Sequence, residues 1–284
     1  MSLSYSRMHG AGNRILVVDA RRNVMTPPGA ERLRRLADEQ TGPGFDQMMW
    51  LAPPSRAASA ASYRVFNSDG TEVEQCGNGL RCVASFLADE ASKDRLQLDS
   101  PAGVVEARLL GDGQVAVNMG APVFTPSDIP FTASGIAAAY DLEVAGEEYK
   151  IAAVSMGNPH CVVDVEDVAT APVGELGPLI ERHARFPDRV NVGFRRVLSP
   201  REIDLRVFER GAGETLACGT GACAAMVTAR AADRVGESVL VNLPGGRLMV
   251  SWRRPGDAVW LTGDVELVDE GTLELCAHSP SRTI

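Results

Sequence analysis

Lysine is nearly missing from this chain. Only Lys93 and Lys150 are lysines; the other 26 of the 28 basic residues are arginines. Pyridoxal phosphate chemistry needs a lysine for its Schiff base. Lys93 follows an apolar helical stretch and Lys150 closes the charged run Glu147-Glu148-Tyr149-Lys150, so neither stands in a glycine-rich phosphate loop. An excess of positive charge is lacking as well. The net charge of −9 leaves no basic surface to drive nucleic-acid binding. No run approaches the ~18–20 apolar residues of a membrane span. Met1 to Gly10 carries no apolar export core, so a cytoplasmic protein is expected. Six cysteines in 284 residues are too sparse for a disulfide scaffold.

What remains is the composition of a globular protein, 45% hydrophobic and 23% charged. The length suits two domains of about 140 residues. The chain also reads twice. Phe66 to Gly79 is F-N-S-D-G-T-E-V-E-Q-C-G-N-G and Phe208 to Gly221 is F-E-R-G-A-G-E-T-L-A-C-G-T-G. At an offset of 142, Phe, Glu, Cys, Gly and Gly coincide. Upstream, Gly12-Asn13 before Val17-Val18-Asp19 matches Gly157-Asn158 before Val162-Val163-Asp164 at an offset of 145, which also sets Asp46 on Asn191. Two repeats in one order at nearly one offset point to a duplicated architecture.

Each half reads as strand, helix, strands and a second helix directly after Cys-Gly-x-Gly. Ile15–Val18 and Cys161–Val163 suit strands. Leu33, Leu36 and Ala37, and then Leu176, Leu179, Ile180 and His183, have helical spacing. After the cysteines, Leu80, Val83, Ala84 and Leu87 form one apolar stripe, and Ala222 to Ala232 is apolar on nearly every face. A helix apolar all round is buried all round. The expected fold is therefore α/β (α+β), with strands wrapped about one central helix in each half. Ala52 to Ser62 has loop composition, and Gly120 to Pro130 is the expected crossing between halves.

Cys76 and Cys218 each precede a Gly-x-Gly that opens a helix, which puts each thiol at an N-cap. Free N–H groups and the positive dipole end favour anions there. An effect of about 1–2 kcal/mol lowers a thiol pKa by about one unit, which predicts a thiolate populated at neutral pH. Two such cysteines in symmetric positions suggest a pair acting on one substrate from opposite sides. The bland reading is two small buried packing residues. Zinc fits poorly, because Cys76-x5-Cys82 and Cys218-x4-Cys223 are not knuckle spacings, and no metal is expected. Cys82, Cys161, Cys223 and Cys276 read as packing residues. His160 follows the turn Gly157-Asn158-Pro159 and could be a general base, a thiol's proton partner or a solvent-facing residue. Glu209 and Arg210 alone read as a surface pair, and His9, His183 and His278 lack supporting context.

Together these residues resemble the diaminopimelate epimerase family. The matching signatures are Met8-His9-Gly10-Ala11-Gly12-Asn13, Phe66-Asn67-Ser68-Asp69-Gly70, Cys76-Gly77-Asn78-Gly79-x-Arg81-Cys82 and Met156-Gly157-Asn158-Pro159-His160-Cys161. Val190-Asn191-Val192, Glu209-Arg210-Gly211-x-Gly213-Glu214-Thr215 and Cys218-Gly219-Thr220-Gly221 complete the set. The resemblance implies a cofactor-independent isomerase that interconverts LL- and meso-2,6-diaminopimelate, usually a cytoplasmic homodimer. It also implies two pseudo-symmetric domains, each a mixed sheet around a central helix, with the active site in the cleft. They would be residues 1–118 completed by 265–284, and residues 119–264. By match, Cys76 and Cys218 are the acid–base pair, and His160 and Glu209 tune them. Asn13, Gln47, Asn67, Asn158, Asn191, Glu209 and Arg210 match substrate contacts, and Gly77, Asn78, Gly219 and Thr220 provide amides for the reacting carboxylate. Arg14-Ile15 and Gly193 depart from the commonest family pattern. The nearest alternative is a racemase of proline or histidine type on the same fold.

Overall fold

The computed structural model describes residues 2–73, 76–88 and 94–274. Lys93, Cys276 and His278 lie outside them. The first half runs β1 (Ser2–Gly10), β2 (Asn13–Asp19), α1 (Ala30–Ala37), β3 (Gln47–Ala52), β4 (Ala61–Asn67), β5 (Glu72–Val73), α2 (Gly77–Phe86), β6 (Arg95–Ser100), β7 (Gly103–Leu109) and β8 (Val115–Asn118). The second half runs β9 (Tyr140–Val144), β10 (Glu147–Ser155), β11 (Pro159–Asp164), α3 (Val173–Glu181), β12 (Asn191–Ser199), β13 (Glu202–Glu209), β14 (Gly213–Thr215), α4 (Gly219–Ala231), β15 (Ser238–Leu243), β16 (Gly246–Ser251) and β17 (Trp260–Gly263). A last strand, β18 (Glu266–Glu274), follows.

The pairings repeat strand for strand. β1–β2, β3–β4, β4–β5, β6–β7 and β7–β8 are antiparallel, while β2–β3 and β4–β6 are parallel. The second half reproduces each of them: β10–β11, β12–β13, β13–β14, β15–β16 and β16–β17 are antiparallel, and β11–β12 and β13–β15 parallel. β18 lies antiparallel to β1 as β9 lies antiparallel to β10. One antiparallel ladder, β8–β17, joins the halves and carries the sheet across the seam. The expected duplicated α/β fold is thus the one adopted. An ion pair recurs with it: Arg64 bonds Glu72 as Arg206 bonds Glu214, again 142 residues apart.

Burial explains the layers. Strand residues alternate faces, so each sheet presents one face to its central helix and the other to a peripheral helix. Leu33 and Leu36 of α1 close one outer core with Leu16, Val18, Met48 and Trp50. Leu176 and Ile180 of α3 close the other with Ile151, Val163, Val192 and Phe194. The central core is continuous through both halves, holding Leu80, Val83 and Ala84 of α2 together with Ala222 through Val227 of α4. Gly219 through Ala229 are all buried, as an all-round apolar helix requires.

Three local expectations need correction. α3 ends at Glu181, so His183 lies past it with Nε2 against the Glu143 carbonyl at 3.0 Å, and Leu179 is half exposed. The Ala52 to Ser62 stretch is partly strand, since β3 reaches Ala52 and β4 starts at Ala61. Between them Ser59 is buried and bonds Asp99 at 2.6 Å. The offset of 145 also fails at Asn191. Ile15 opposes Gln47 where His160 opposes Asn191, so the counterpart of Asn191 is Gln47 and not Asp46. A one-residue slip in the α–β connection accounts for it, since strand pairing, not sequence count, sets which side chain faces the cleft.

Leu261 of β17 is fully buried, and its Cδ2 lies 2.9 Å from where a Cβ would stand on either Gly77 or Gly219. One side chain therefore supports both helix starts. Leu261→Ala should destabilise the fold by about 2–5 kcal/mol. Urea unfolding checks this; an unchanged midpoint would mean the seam closes without it.

Candidate active site

The two Cys-Gly-x-Gly turns meet at the seam. Cys76 is the N-cap of α2 and its Sγ accepts from Gly79 N–H at 3.1 Å. Cys218 is the N-cap of α4 and accepts from Gly221 N–H at 3.4 Å. Small residues allow the close approach: a Cβ at Gly219 would stand 3.5 Å from Asn78 Oδ1 and 3.7 Å from Gly77 Cα. Both thiols are buried and free. Glu209 acts electrostatically on both.

Around this point the matched residues form hydrogen-bonded chains. The Cys76 thiol donates to Gln47 Oε1, and Gln47 Nε2 donates to Asn67 Oδ1 at 3.0 Å. On the other side, Asn158 Nδ2 donates to Thr220 Oγ1 at 3.3 Å, and Asn158 Oδ1 faces His160 Nε2 at 3.0 Å. Thr220 Oγ1 lies 3.5 Å from Cys218 Sγ. Asn191 is buried, donates to the Pro159 carbonyl at 3.0 Å and accepts from Arg210 N–H at 2.9 Å. Arg210 Nη1 donates to the Asp188 carbonyl at 3.0 Å. Glu209 accepts from Thr215 Oγ1 and acts electrostatically on Cys218. Asn13 begins β2 beside a turn whose Gly12 abuts Gly245 of the second half, where a Cβ would stand 2.8 Å from its Cα.

The thiols do not behave as the helix dipole alone suggested. Burial pushes Cys76 up to about 11, although the Gly79 and Asn78 N–H groups and Arg81 pull it down. Burial, followed by Glu209, pushes Cys218 well above the ordinary thiol value, against Thr220 and Gly221. The dipole has the expected sign, but desolvation of the charged form is larger. Glu209 is itself raised by burial, and Thr215 and Cys218 counter that. Cys82 and Cys223 are pushed up to about 12 by burial, in keeping with packing residues.

Sequence reasoning left three residues here without a role. Thr215 anchors Glu209, and Glu181 Oε1 accepts from Gly211 N–H at 2.8 Å, holding the turn after Arg210. Arg81 is fully buried against Asn78. The available signal for Arg81 was a lone arginine within an apolar helix. The departures Arg14 and Gly193 stand apart: Arg14 binds Asp46 and Glu39, and Gly193 lies in β12 opposite Val207. Among the described residues, no group of three or more His, Cys, Asp or Glu could hold a metal ion. None of the helices there is long and apolar enough to cross a membrane.

A duplicated α/β fold with one thiol from each half at facing helix starts defines a class of isomerase. The comparisons make it specific. The model of the family described as diaminopimelate epimerase matches residues 5–125 and 152–268. The diaminopimelate epimerases of Alkalilimnicola ehrlichii and Pseudomonas entomophila are each 49% identical to the chain, over 97% of its length and 100% of theirs. The chain belongs to the diaminopimelate epimerase family. Among solved structures, a probable proline racemase from Agrobacterium radiobacter shares the fold with TM-score 0.71 at 17% identity, covering 98% of this chain and 94% of that one. A hydroxyproline epimerase from Agrobacterium vitis, with bound trans-4-hydroxy-L-proline, does so with TM-score 0.70 at 19% identity, covering 96% and 93%.

His160 is held neutral in the fold. Burial, then the Arg210 guanidinium, pushes it down to about 3, whereas in the unfolded chain it titrates near ~6.5. Between those values the unfolded state binds the extra proton, so stability falls as pH drops through that window. His160→Gln should flatten the stability–pH curve there by up to ~1.4 kcal/mol per pH unit. Denaturant midpoints across the window measure it, and an unchanged slope would mean that the folded imidazole is already charged.

Proposed function

We propose that the chain interconverts LL- and meso-2,6-diaminopimelate by a two-base proton transfer between Cys76 and Cys218. The observation that carries the reading is the meeting of the two cysteine-capped helix starts at one buried point. One thiolate removes the α-proton while the opposite thiol delivers a proton to the other face. The pair is then reversed for the return reaction. A single base would have to travel round the carbon.

The burial that raises both thiols also makes each thiolate a stronger base, which a weakly acidic α-proton requires. Charge that develops on the α-carbon flows into the adjacent carboxylate. The N–H groups at Gly77, Asn78, Gly219 and Thr220 surround the place where that carboxylate would lie, and preorganised dipoles stabilise it without reorganisation. His160 and Glu209 tune the thiols: the first is neutral and bonded to Asn158, the second acts electrostatically on both. Asn13, Gln47, Asn67, Asn158, Asn191, Glu209 and Arg210 offer donors and acceptors for the distal ammonium and carboxylate. A site built to bond that end rejects amino acids without it, because its polar groups would be left unpaired.

The domain division follows the same reading, with residues 1–118 and 265–284 forming one body and residues 119–264 the other. The pairing of β18 with β1 supports it. The enzyme would work as a cytoplasmic homodimer, without nucleic acid, membrane, metal or cofactor.

Incubation in deuterated water with LL-diaminopimelate, L-proline and L-histidine, followed by mass spectrometry, tests the substrate. Deuterium should enter the α-position of diaminopimelate alone; uptake into proline or histidine at a comparable rate would favour the racemase alternative. Cys76→Ala and Cys218→Ala should each lower turnover by about 10²–10⁴-fold. Full turnover in either variant would overturn the two-thiol scheme.

A further inference from the structure

Arg81 is the one charged residue of α2, and it is 0% exposed. Its Nη1 donates to Asn78 Oδ1 at 3.0 Å, while Nε and Nη2 have no hydrogen-bond partner among the described residues. Two glycines from different strands make room for the guanidinium. A Cβ at Gly263 would stand 3.3 Å from Nε and 3.4 Å from Cζ, and one at Gly10 would stand 3.5 Å from Nη2. The charge therefore lies in the seam, beneath the turn that carries Cys76. Its electrostatic neighbours are Cys82, Cys76, Cys223 and Asp264.

The duplication shows what is unusual about this placement. At the offset of 142 that aligns Cys76 with Cys218, Arg81 falls on Cys223, and Glu209 falls on Asn67. Strand register agrees on the second pair, since Val65↔Val73 and Phe66↔Glu72 become Val207↔Thr215 and Phe208↔Glu214. Beside the thiols, Arg81 and Glu209 are thus charges without a counterpart in the other half, and the two have opposite signs. The positive one underlies Cys76, and the negative one acts on Cys218.

We infer that Arg81 is a positioning residue that makes the duplicated site directional: with Glu209 at the opposite pole, it makes Cys76 the thiol that gives up its proton first and Cys218 the one that keeps it. The inference deepens the two-thiol reading above and rests on it. The groups that face the thiols agree with it. Tyr63 of β4, Cys82 and Arg81 of α2 and Glu209 of β13 act on Cys76, and among them Arg81 alone is a cation. Among the described residues, those that shift Cys218 are Glu209, Thr220 and Gly221, and none of the three is a cation. Through its bond to Asn78, Arg81 also fixes the first turn of α2, where the free N–H groups lie. The first thiolate to form is then the one placed for the isomer whose α-proton faces Cys76.

Iodoacetamide labelling of the full chain across pH, with peptide mapping by mass spectrometry, reads each thiol separately. The pH of half-maximal rate removes differences in access. In the native chain Cys76 should reach half-maximal labelling at lower pH than Cys218, equivalent to a rate on the order of tenfold higher where both are mainly protonated. Arg81→Lys should keep that order, and Arg81→Met should abolish it. Should Arg81→Met not fold, Glu209→Gln reads the other pole and should lower the half-maximal pH of Cys218. Coincident profiles for the two thiols in the native chain would overturn the inference, as would an order unchanged in both Arg81→Met and Glu209→Gln. Full turnover by Cys76→Ala would instead overturn the two-thiol reading and leave the labelling order as it is, so the two failures are distinguishable.

Discussion

The contact on which everything else depends is that between the first turns of α2 and α4. Two helix starts repel as like dipole ends, and each brings N–H groups that lack intrahelical partners. Holding them together in a dry interior is unfavourable unless the scaffold enforces it. Here the β8–β17 ladder crosses the seam, one continuous apolar core runs through both halves, and Leu261 packs under both glycine turns. The stability of the sheets thus maintains a concentration of unfilled donors suited to an anion.

Duplication answers the geometric requirement and also limits it. Nearly identical pairings in the two halves place two thiols symmetrically about one point without any further device. The Arg64–Glu72 and Arg206–Glu214 ion pairs belong to this shared scaffold and stand in equivalent positions. The residues around the thiols do not match in the same way. Gln47 corresponds to Asn191, Asn67 to Glu209 and Arg81 to Cys223. A site that reacts at one end of a molecule and only grips the other needs that difference, all the more when both ends carry the same ammonium and carboxylate groups.

Burial is the second determinant. The N-cap position stabilises a thiolate, but removing the sulfur from water destabilises it more, so both thiols lie above the ordinary value. That outcome suits the chemistry better than an acidic thiol would. An easily formed thiolate is a weak base, whereas one held in a desolvated site and matched by preorganised dipoles can accept a proton from carbon. His160 shows the same physics with the opposite sign, being buried neutral beside an arginine.

Much of this was legible in the sequence. The duplication, the two cysteine-capped turns and the burial of α4 as far as Ala229 all follow from local chemistry: repeat spacing, glycine at a helix start, and an apolar composition on every face; Ala231 and Ala232, read as part of the same buried run, are exposed at its end. What sequence could not decide was anything set by distance between remote segments. Strand register made Gln47, and not Asp46, the counterpart of Asn191, because a one-residue slip reverses the face a side chain presents. The direction of the thiol shifts depended on how much water the closed seam excludes, which a dipole argument omits. The place of Arg81 likewise depended on Gly10 and Gly263, from the strands β1 and β17, clearing the same small volume. The sequence by itself determined which groups would be present and which helix starts would carry them. Only the tertiary structure decided their solvation and mutual charge, because both depend on contacts between residues far apart in the chain.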